Sequence, residues 1–395
     1  MIFPARPTLA EIDLDNLRFN FRSCRNFIGR DVKIMAVVKA NAYGHGAVEC
    51  SRVLEKQGVN WLGVATPEEA LELRNAEITT NILCLGGFWP GQEKILLDNK
   101  ITPAIYEISS AANLNSVAKS ADRVFPVHIK IDTGMGRLGI RWDSTAAFID
   151  EFTRFEHLTV EGLMTHFASA DNPSEHEFTS LQVLRFQDSL SDFRAAGHSP
   201  EFLDLSNSPG AVVTGANGGN MVRLGGVLYG LGGDILPAGA SKPELKPIMS
   251  IKSRISHLKT VSPRDSVGYG RTYVTERESI IAAIPIGYHD GYRRGLSNKA
   301  VMIVHGCPVP VVGLISMDWT TIDVTDIRGV SLGDEVTIIG RQGDETILAE
   351  ELAGLIESIS YEITCGISGR VPRRFLREET DYPPVDRSTI ETVRI

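Results

Sequence analysis

From about residue 32 the chain alternates short, β-branched apolar runs with longer amphipathic stretches whose apolar positions recur every three or four residues. Eight such runs can be counted: Val32–Lys39, Trp61–Ala65, Asn81–Leu85, Ile101–Tyr106, Phe125–Ile131, Leu158–Thr165, Phe202–Leu205 and Met221–Leu224. Helix-like segments lie between them, among them Gly46–Gln57, Pro67–Ala76, Gln92–Asn99, Ser110–Ser120, Ser144–Phe155 and Glu175–Ala196. At Thr66-Pro67-Glu68-Glu69 an N-cap, a proline at the first helical position and a glutamate at the third predict a capping box. Eight strand–helix repeats in about 230 residues have the size and order of a closed TIM-type (β/α)8 barrel rather than an open doubly wound sheet.

After Lys242-Pro243-Glu244 the pattern changes to strand-like runs separated by turn residues, such as Ile248–Leu258, Ser279–Pro285, Ala300–Val304, Val309–Leu314 and Glu335–Ile339. Few helical stretches follow until Ala349–Ile359. The expected α/β architecture is therefore a barrel over residues 1–240 and a mainly antiparallel β domain over 241–395. A length of 395 residues already calls for more than one core.

Hydrophobic residues make up 43% and charged residues 23%, ordinary globular values, and no apolar run approaches the roughly 18 residues of a membrane span. The segment Met1-Ile2-Phe3-Pro4-Ala5-Arg6-Pro7 lacks the features of a secretory signal, so export is not expected. The net charge is −9 and the basic residues are scattered, which excludes a nucleic-acid footprint. Five cysteines, far apart and without CxxC pairs, argue against a disulfide framework and against a zinc site. A reducing cytoplasm and no bound metal are the corresponding expectations.

In a (β/α)8 barrel the chemistry gathers at the C-terminal ends of the strands, so the residue closing each run is informative. The first run closes on Lys39, after the apolar Ile34-Met35-Ala36-Val37-Val38. An ammonium at the mouth of an apolar barrel is partly desolvated, which lowers its pKa and makes the amine a nucleophile toward an aldehyde cofactor. Taken alone, a lysine at a strand end is more often simply solvated. Arg223 closes the eighth run, Ser208 follows the seventh, and Gly225 and Gly226 follow the eighth, where barrels commonly bind phosphate. Gly134-Met135-Gly136-Arg137-Leu138-Gly139 has the GxGxxG spacing of a dinucleotide fingerprint. That reading is rejected, because the loop follows the fifth strand and helical patterning resumes only after Trp142.

The segment Ala36-Val37-Val38-Lys39-Ala40-Asn41-Ala42-Tyr43-Gly44-His45-Gly46 resembles the cofactor-lysine motif of the alanine racemases. Lys130–Gly139, Thr165–Ala168, Asn207-Ser208, Val222–Gly225, Val267–Arg271, Pro285–Tyr288, Ser316–Asp318 and Ser360–Glu362 resemble further family segments in order, over nearly the whole chain. The resemblance implies a barrel followed by a β domain, pyridoxal 5'-phosphate on Lys39, and interconversion of L- and D-alanine, supplying D-alanine for peptidoglycan. Inverting an α-carbon requires one base on each face, since a single fixed base tends to restore the starting configuration. Lys39 serves one face and the family pattern places Tyr269 on the other. An ordinary phenol titrates near pH 10, so Tyr269 needs positive charge or a relay nearby, for which His166 and Arg223 are the candidates.

By the same resemblance Arg223 faces the pyridine nitrogen of the cofactor. A guanidinium there only donates a hydrogen bond, which makes the ring a weaker electron sink than a carboxylate partner would and suits a reaction confined to moving a proton. Tyr43 and Tyr361 join Ser208 and Gly225 around the phosphate. Arg137 and the backbone of Met317, beside Asp318, hold the substrate carboxylate. Lys130, on one strand face with His128 and Asp132, is a position where the family can carry a carbamylated lysine. Tyr269 and Met317 reach the barrel mouth of a partner chain, so a homodimer with shared sites is implied. His289 and Arg293-Arg294, behind Tyr288, depart from the family pattern, and a broader substrate range that includes serine stays open. A barrel-type decarboxylase would place an acidic residue where Arg223 stands. A non-catalytic cofactor-binding protein of the lone-barrel kind would lack the β domain that carries Tyr269.

Overall fold

The computed structural model describes residues 6–377. The ends of the two expected domains, residues 1–5 and 378–395, lie outside the described residues. All eight apolar runs are strands: β1 (Lys33–Val37), β2 (Trp61–Val64), β3 (Asn81–Cys84), β4 (Ile101–Ile105), β5 (Phe125–Asp132), β6 (Leu158–Met164), β7 (Phe202–Ser206) and β8 (Met221–Leu224). Neighbours in sequence pair in parallel, and the ring closes where Met221–Leu224 of β8 runs beside Lys33–Ala36 of β1. These short strands are buried almost throughout, because helices cover their outer faces and side chains fill the interior.

Met35, Trp61, Leu83, Ala104, Met164, Phe202 and Met221 form an apolar plug inside the ring. His128 is enclosed there between the rings of Trp61 and Phe202, and Gly162 makes room for it: a Cβ at that position would lie 2.6 Å from the imidazole. The helical place after β8 holds only the 3-10 turn Gly226–Tyr229. The helix Leu14–Ile28 comes from before the barrel to pack against that turn and completes the outer ring. Its start is set by Asp13, whose carboxylate accepts from Asn16 N at 2.8 Å.

The second region is mainly antiparallel, in a seven-stranded and a three-stranded sheet. One strand of the larger sheet comes from the extreme N-terminal part of the chain. Leu9–Asp13 lies antiparallel to Met249–Arg254 and parallel to Arg373–Leu376, so pairing here joins residues separated by the whole barrel. Ser266–Val267 and Tyr273–Val274 make a small separate hairpin that carries Tyr269 at its tip. Among the described residues no helix is long and apolar enough to cross a membrane.

Candidate active site

A cavity of about 640 Å³ opens at the C-terminal ends of the barrel strands. Lys39, Tyr43, Lys130, Arg137, His166, Ser208, Arg223, Gly225 and Tyr361 all line it. Tyr269 and Met317 do not. They stand on the second domain, 73% and 52% exposed, away from the cavity of their own chain.

Lys39 follows β1 rather than ending it. After it the backbone makes a left-handed turn, with φ of 53°, 53°, 52° and 55° at Ala40, Asn41, Ala42 and Tyr43. Each such residue costs roughly 1–2 kcal/mol in an L-chain, so neighbouring structure must impose the turn. Several contacts do so. Glu69 accepts from Ala40 N at 2.7 Å, Asn41 accepts from Ala47 N at 2.7 Å, and Arg373 of the second domain donates to Gly44 O at 3.0 Å. Gly44 has φ of 86° and lies so close to Thr364 that a Cβ would meet its carbonyl oxygen at 2.1 Å. The predicted capping box is half formed: Thr66 Oγ1 accepts from Glu69 N at 3.4 Å, but the Glu69 carboxylate turns to Ala65 N and Ala40 N instead of closing on Thr66. A helix-starting signal is thus also a clamp on the lysine turn.

Burial, with Arg137 and Arg223 in addition, lowers the Lys39 ammonium below its ordinary range, against a smaller opposing pull from Glu69. The amine is thereby biased toward its neutral, nucleophilic form. Burial and the same two arginines push Lys130 down to about 8. His166 is held well below its usual value by burial and then by Arg223, Arg137 and the two lysines, so it is neutral. Its Nδ1 faces Arg223 Nη2 at 3.1 Å; a guanidinium has only donors, so Nδ1 accepts and the ring proton resides on Nε2.

Arg223 is fixed from the barrel side. Nη2 donates to Thr165 O at 2.7 Å and Nη1 to Asp204 O at 3.2 Å, and Nη1 also lies 2.6 Å from the Asp204 carboxylate. At the opposite wall Ser208 Oγ accepts from Gly225 N at 2.9 Å. A Cβ on Gly225 would lie 2.7 Å from the Tyr43 hydroxyl, and one on Gly226 would lie 2.7 Å from the Tyr361 hydroxyl. Two phenols and a serine therefore converge on a backbone that only glycine leaves open. Tyr361 is aimed by Asp234, which accepts from Ser360 N at 2.6 Å and Ser360 Oγ at 2.8 Å. The GxGxxG loop contains no helix start: Gly134, Gly136 and Gly139 have positive φ, and the chain turns back as the short strand Ile140–Arg141 beside the end of β5.

Asp204, Glu69, Asp234 and Cys365 were not singled out for this site by sequence reading. Glu69 carried a signal, but one read as a helix start. Asp204 sits within an apolar run, where a lone acid inside a buried strand was the available clue.

An amine nucleophile, a hydroxyl-lined glycine cradle and a guanidinium around one cavity are the parts that pyridoxal phosphate requires, and they define a barrel enzyme built for that cofactor. The cradle fits a phosphate, and Lys39 and Arg223 lie across the same space. The family model for the alanine racemase N-terminal domain matches residues 12–232, and that for the C-terminal domain matches residues 248–375. The chain belongs to the alanine racemase family, whose members are pyridoxal-phosphate-dependent isomerases. The alanine racemase of Geobacter sulfurreducens is 42% identical over 377 residues, covering 94% of this chain and 98% of the relative. The structure of alanine racemase from Clostridium difficile 630 is 37% identical with a TM-score of 0.87, over 95% of this chain and 97% of that one. That of Bartonella henselae, with covalently bound pyridoxal phosphate, is 29% identical with a TM-score of 0.83, over 94% and 100%.

Proposed function

We propose that this chain interconverts L- and D-alanine by a two-base proton transfer, with Lys39 as one base and the partner subunit's Tyr269 as the other. The reading rests most on one observation: the lysine amine shares a cavity with Arg223 and the glycine cradle, while Tyr269 projects outward from a hairpin with 73% of its surface exposed. Bound pyridoxal phosphate supplies an aldehyde to hold the substrate amine and a ring that accepts electron density. Tyr43, Ser208, Gly225 and Tyr361 would hold its phosphate, and Arg223, which can only donate, would leave its ring nitrogen unprotonated. Lys39, its ammonium lowered from the ordinary range by burial, takes or returns the α-proton on one face. His166, protonated only on Nε2, is suited to donate toward a phenol brought in from outside. Arg137 and the backbone of Met317 hold the substrate carboxylate.

In this reading the active form is a homodimer in the cytoplasm, and the product serves peptidoglycan. Lys130 carries a carbamate: its amine adds to carbon dioxide, a proton leaves, and the resulting anion balances Arg137. Intact mass measured without acid checks this, and a fully active enzyme of unmodified mass counts against it. Arg293 donates to Glu362 O at 3.4 Å, which places the departure from the family pattern beside the helix of Tyr361 and favours an altered entrance rather than altered chemistry.

The deciding experiment incubates the purified protein with L-alanine and, separately, L-serine in deuterated water while optical rotation and α-proton exchange are followed. Exchange with inversion of alanine is the expected result, and inversion of serine would mark a broader range. Release of carbon dioxide, or exchange without inversion, overturns the reading.

A further inference from the structure

Four basic side chains, Lys39, Lys130, Arg137 and Arg223, line the cavity, and an acid lies against Arg223 on its barrel side. Asp204 projects from β7 into the barrel with no exposed surface, and its Oδ1 lies 2.6 Å from Arg223 Nη1. The contact is an ion pair rather than an aligned hydrogen bond, because the N–H vectors of Arg223 point to the carbonyls of Asp204, Thr165 and Leu205. Neither carboxylate oxygen has a hydrogen-bond partner among the described residues. An isolated buried carboxylate without such partners is costly, so the acid is retained against a desolvation penalty that only neighbouring positive charge offsets.

We propose that Asp204 is a positioning residue: a buried counter-ion that braces Arg223 from beneath and offsets the positive potential at Lys130. The inference rests on the racemase reading only for what Arg223 faces above. Burial raises the Asp204 carboxyl above its usual range, against opposing pulls from Arg223, His128 and Lys130; burial lowers Lys130, with Arg223, Arg137 and Lys39 acting in the same direction and Asp204 against them. Replacing Asp204 by a neutral residue removes one negative charge acting on Arg223 and Lys130, which disfavours a positive charge on Lys130. At an effective dielectric near 20, one unit charge roughly 10 Å away moves a titration by about one pH unit.

The test measures acetic anhydride labelling of Lys130 against pH, by peptide mass spectrometry, on the full-length holoenzyme in carbon-dioxide-free buffer. In Asp204→Asn the labelling midpoint should fall by about one pH unit, whereas Asp204→Glu, which keeps the charge, should restore most of it. An unmoved midpoint in a folded Asp204→Asn protein overturns the proposal. Should that variant not fold, neutron diffraction of the unaltered protein at neutral pH decides: a bare carboxylate supports the counter-ion, and a deuteron on either oxygen overturns it. Alanine inversion is assayed on the same preparations, so an active enzyme with an unmoved midpoint sinks only the role of Asp204. An unaltered protein that fails to invert alanine sinks the racemase reading and leaves the midpoint comparison standing.

Discussion

The barrel mouth and the Tyr269 hairpin are built on opposite terms. At the mouth several candidates are held by neighbours: Arg223 by three carbonyls and an acid, the lysine turn by Glu69 and Arg373, Tyr361 by Asp234 acting through Ser360. The hairpin is thin. Tyr269 stands between Gly268 and Gly270, both at positive φ, and Met317 and Trp319, on a separate loop of the second region, are also exposed. Under the proposed function, the ordered mouth is the half that serves the cofactor, and the exposed phenol is the half offered to a second copy of the chain. The comparison locates what a single chain supplies and what a second copy would add.

The largest break in that contrast comes from the mouth. Lys39→Ala should abolish the visible absorption of bound cofactor and lower alanine inversion by at least about 10⁴-fold, since anchoring and one base are both lost. Retained activity would remove the basis of the functional assignment. Tyr269→Phe should keep the visible band and lower inversion by about 10²–10⁴-fold, the ordinary worth of one positioned base. Inactive Lys39→Ala and Tyr269→Phe proteins, mixed and allowed to exchange subunits, should regain part of the activity if sites are shared. Mixing without regain would confine each site to one chain.

A smaller effect concerns stability and sharpens the view of the mouth as tightly packed. His45, stacked on Tyr229 and fully buried, is lowered to about 4, by burial above all. Between about pH 6.5 and 4 the unfolded chain binds a proton that the folded one refuses, so stability falls as pH falls through that window. From pH 7 to pH 5 the loss from this one group is about 2 kcal/mol, and His166, depressed in the same direction, adds to it. Urea midpoints at the two pH values measure the loss, and His45→Gln should flatten the slope. The smallest effect is expected of Glu69→Gln, which forfeits one of two bonds to backbone N–H groups and should cost about 1–2 kcal/mol. A loss of cofactor affinity larger than that of stability would place the strain of the left-handed turn in the service of the site.

Much of this was readable along the chain. All eight barrel strands appear within two residues of the apolar runs, because a strand covered on both faces must be apolar nearly throughout and leaves an uninterrupted signal. Lys39, Arg223 and Ser208 could be picked out because a barrel puts its chemistry at strand ends. Glu69 shows where such reading stops, since local spacing accounts for its N–H partner at Thr66 but not for its reach to Ala40 on another strand's loop. Asp204 is hidden for the same reason: its meaning depends on a guanidinium nineteen residues away.

The order of strands, the change to β texture near residue 240 and the identities of the lysine, arginine and tyrosines are properties of the chain itself, because burial imposes a local period and chemistry imposes residue types. Only folding in three dimensions decided that Leu9–Asp13 crosses to the far sheet, that four consecutive residues after Lys39 turn left-handed, and that Tyr269 faces away from its own cavity. These are set by contacts between segments tens to hundreds of residues apart, whose energies outweigh local preference and leave no periodic trace in the sequence.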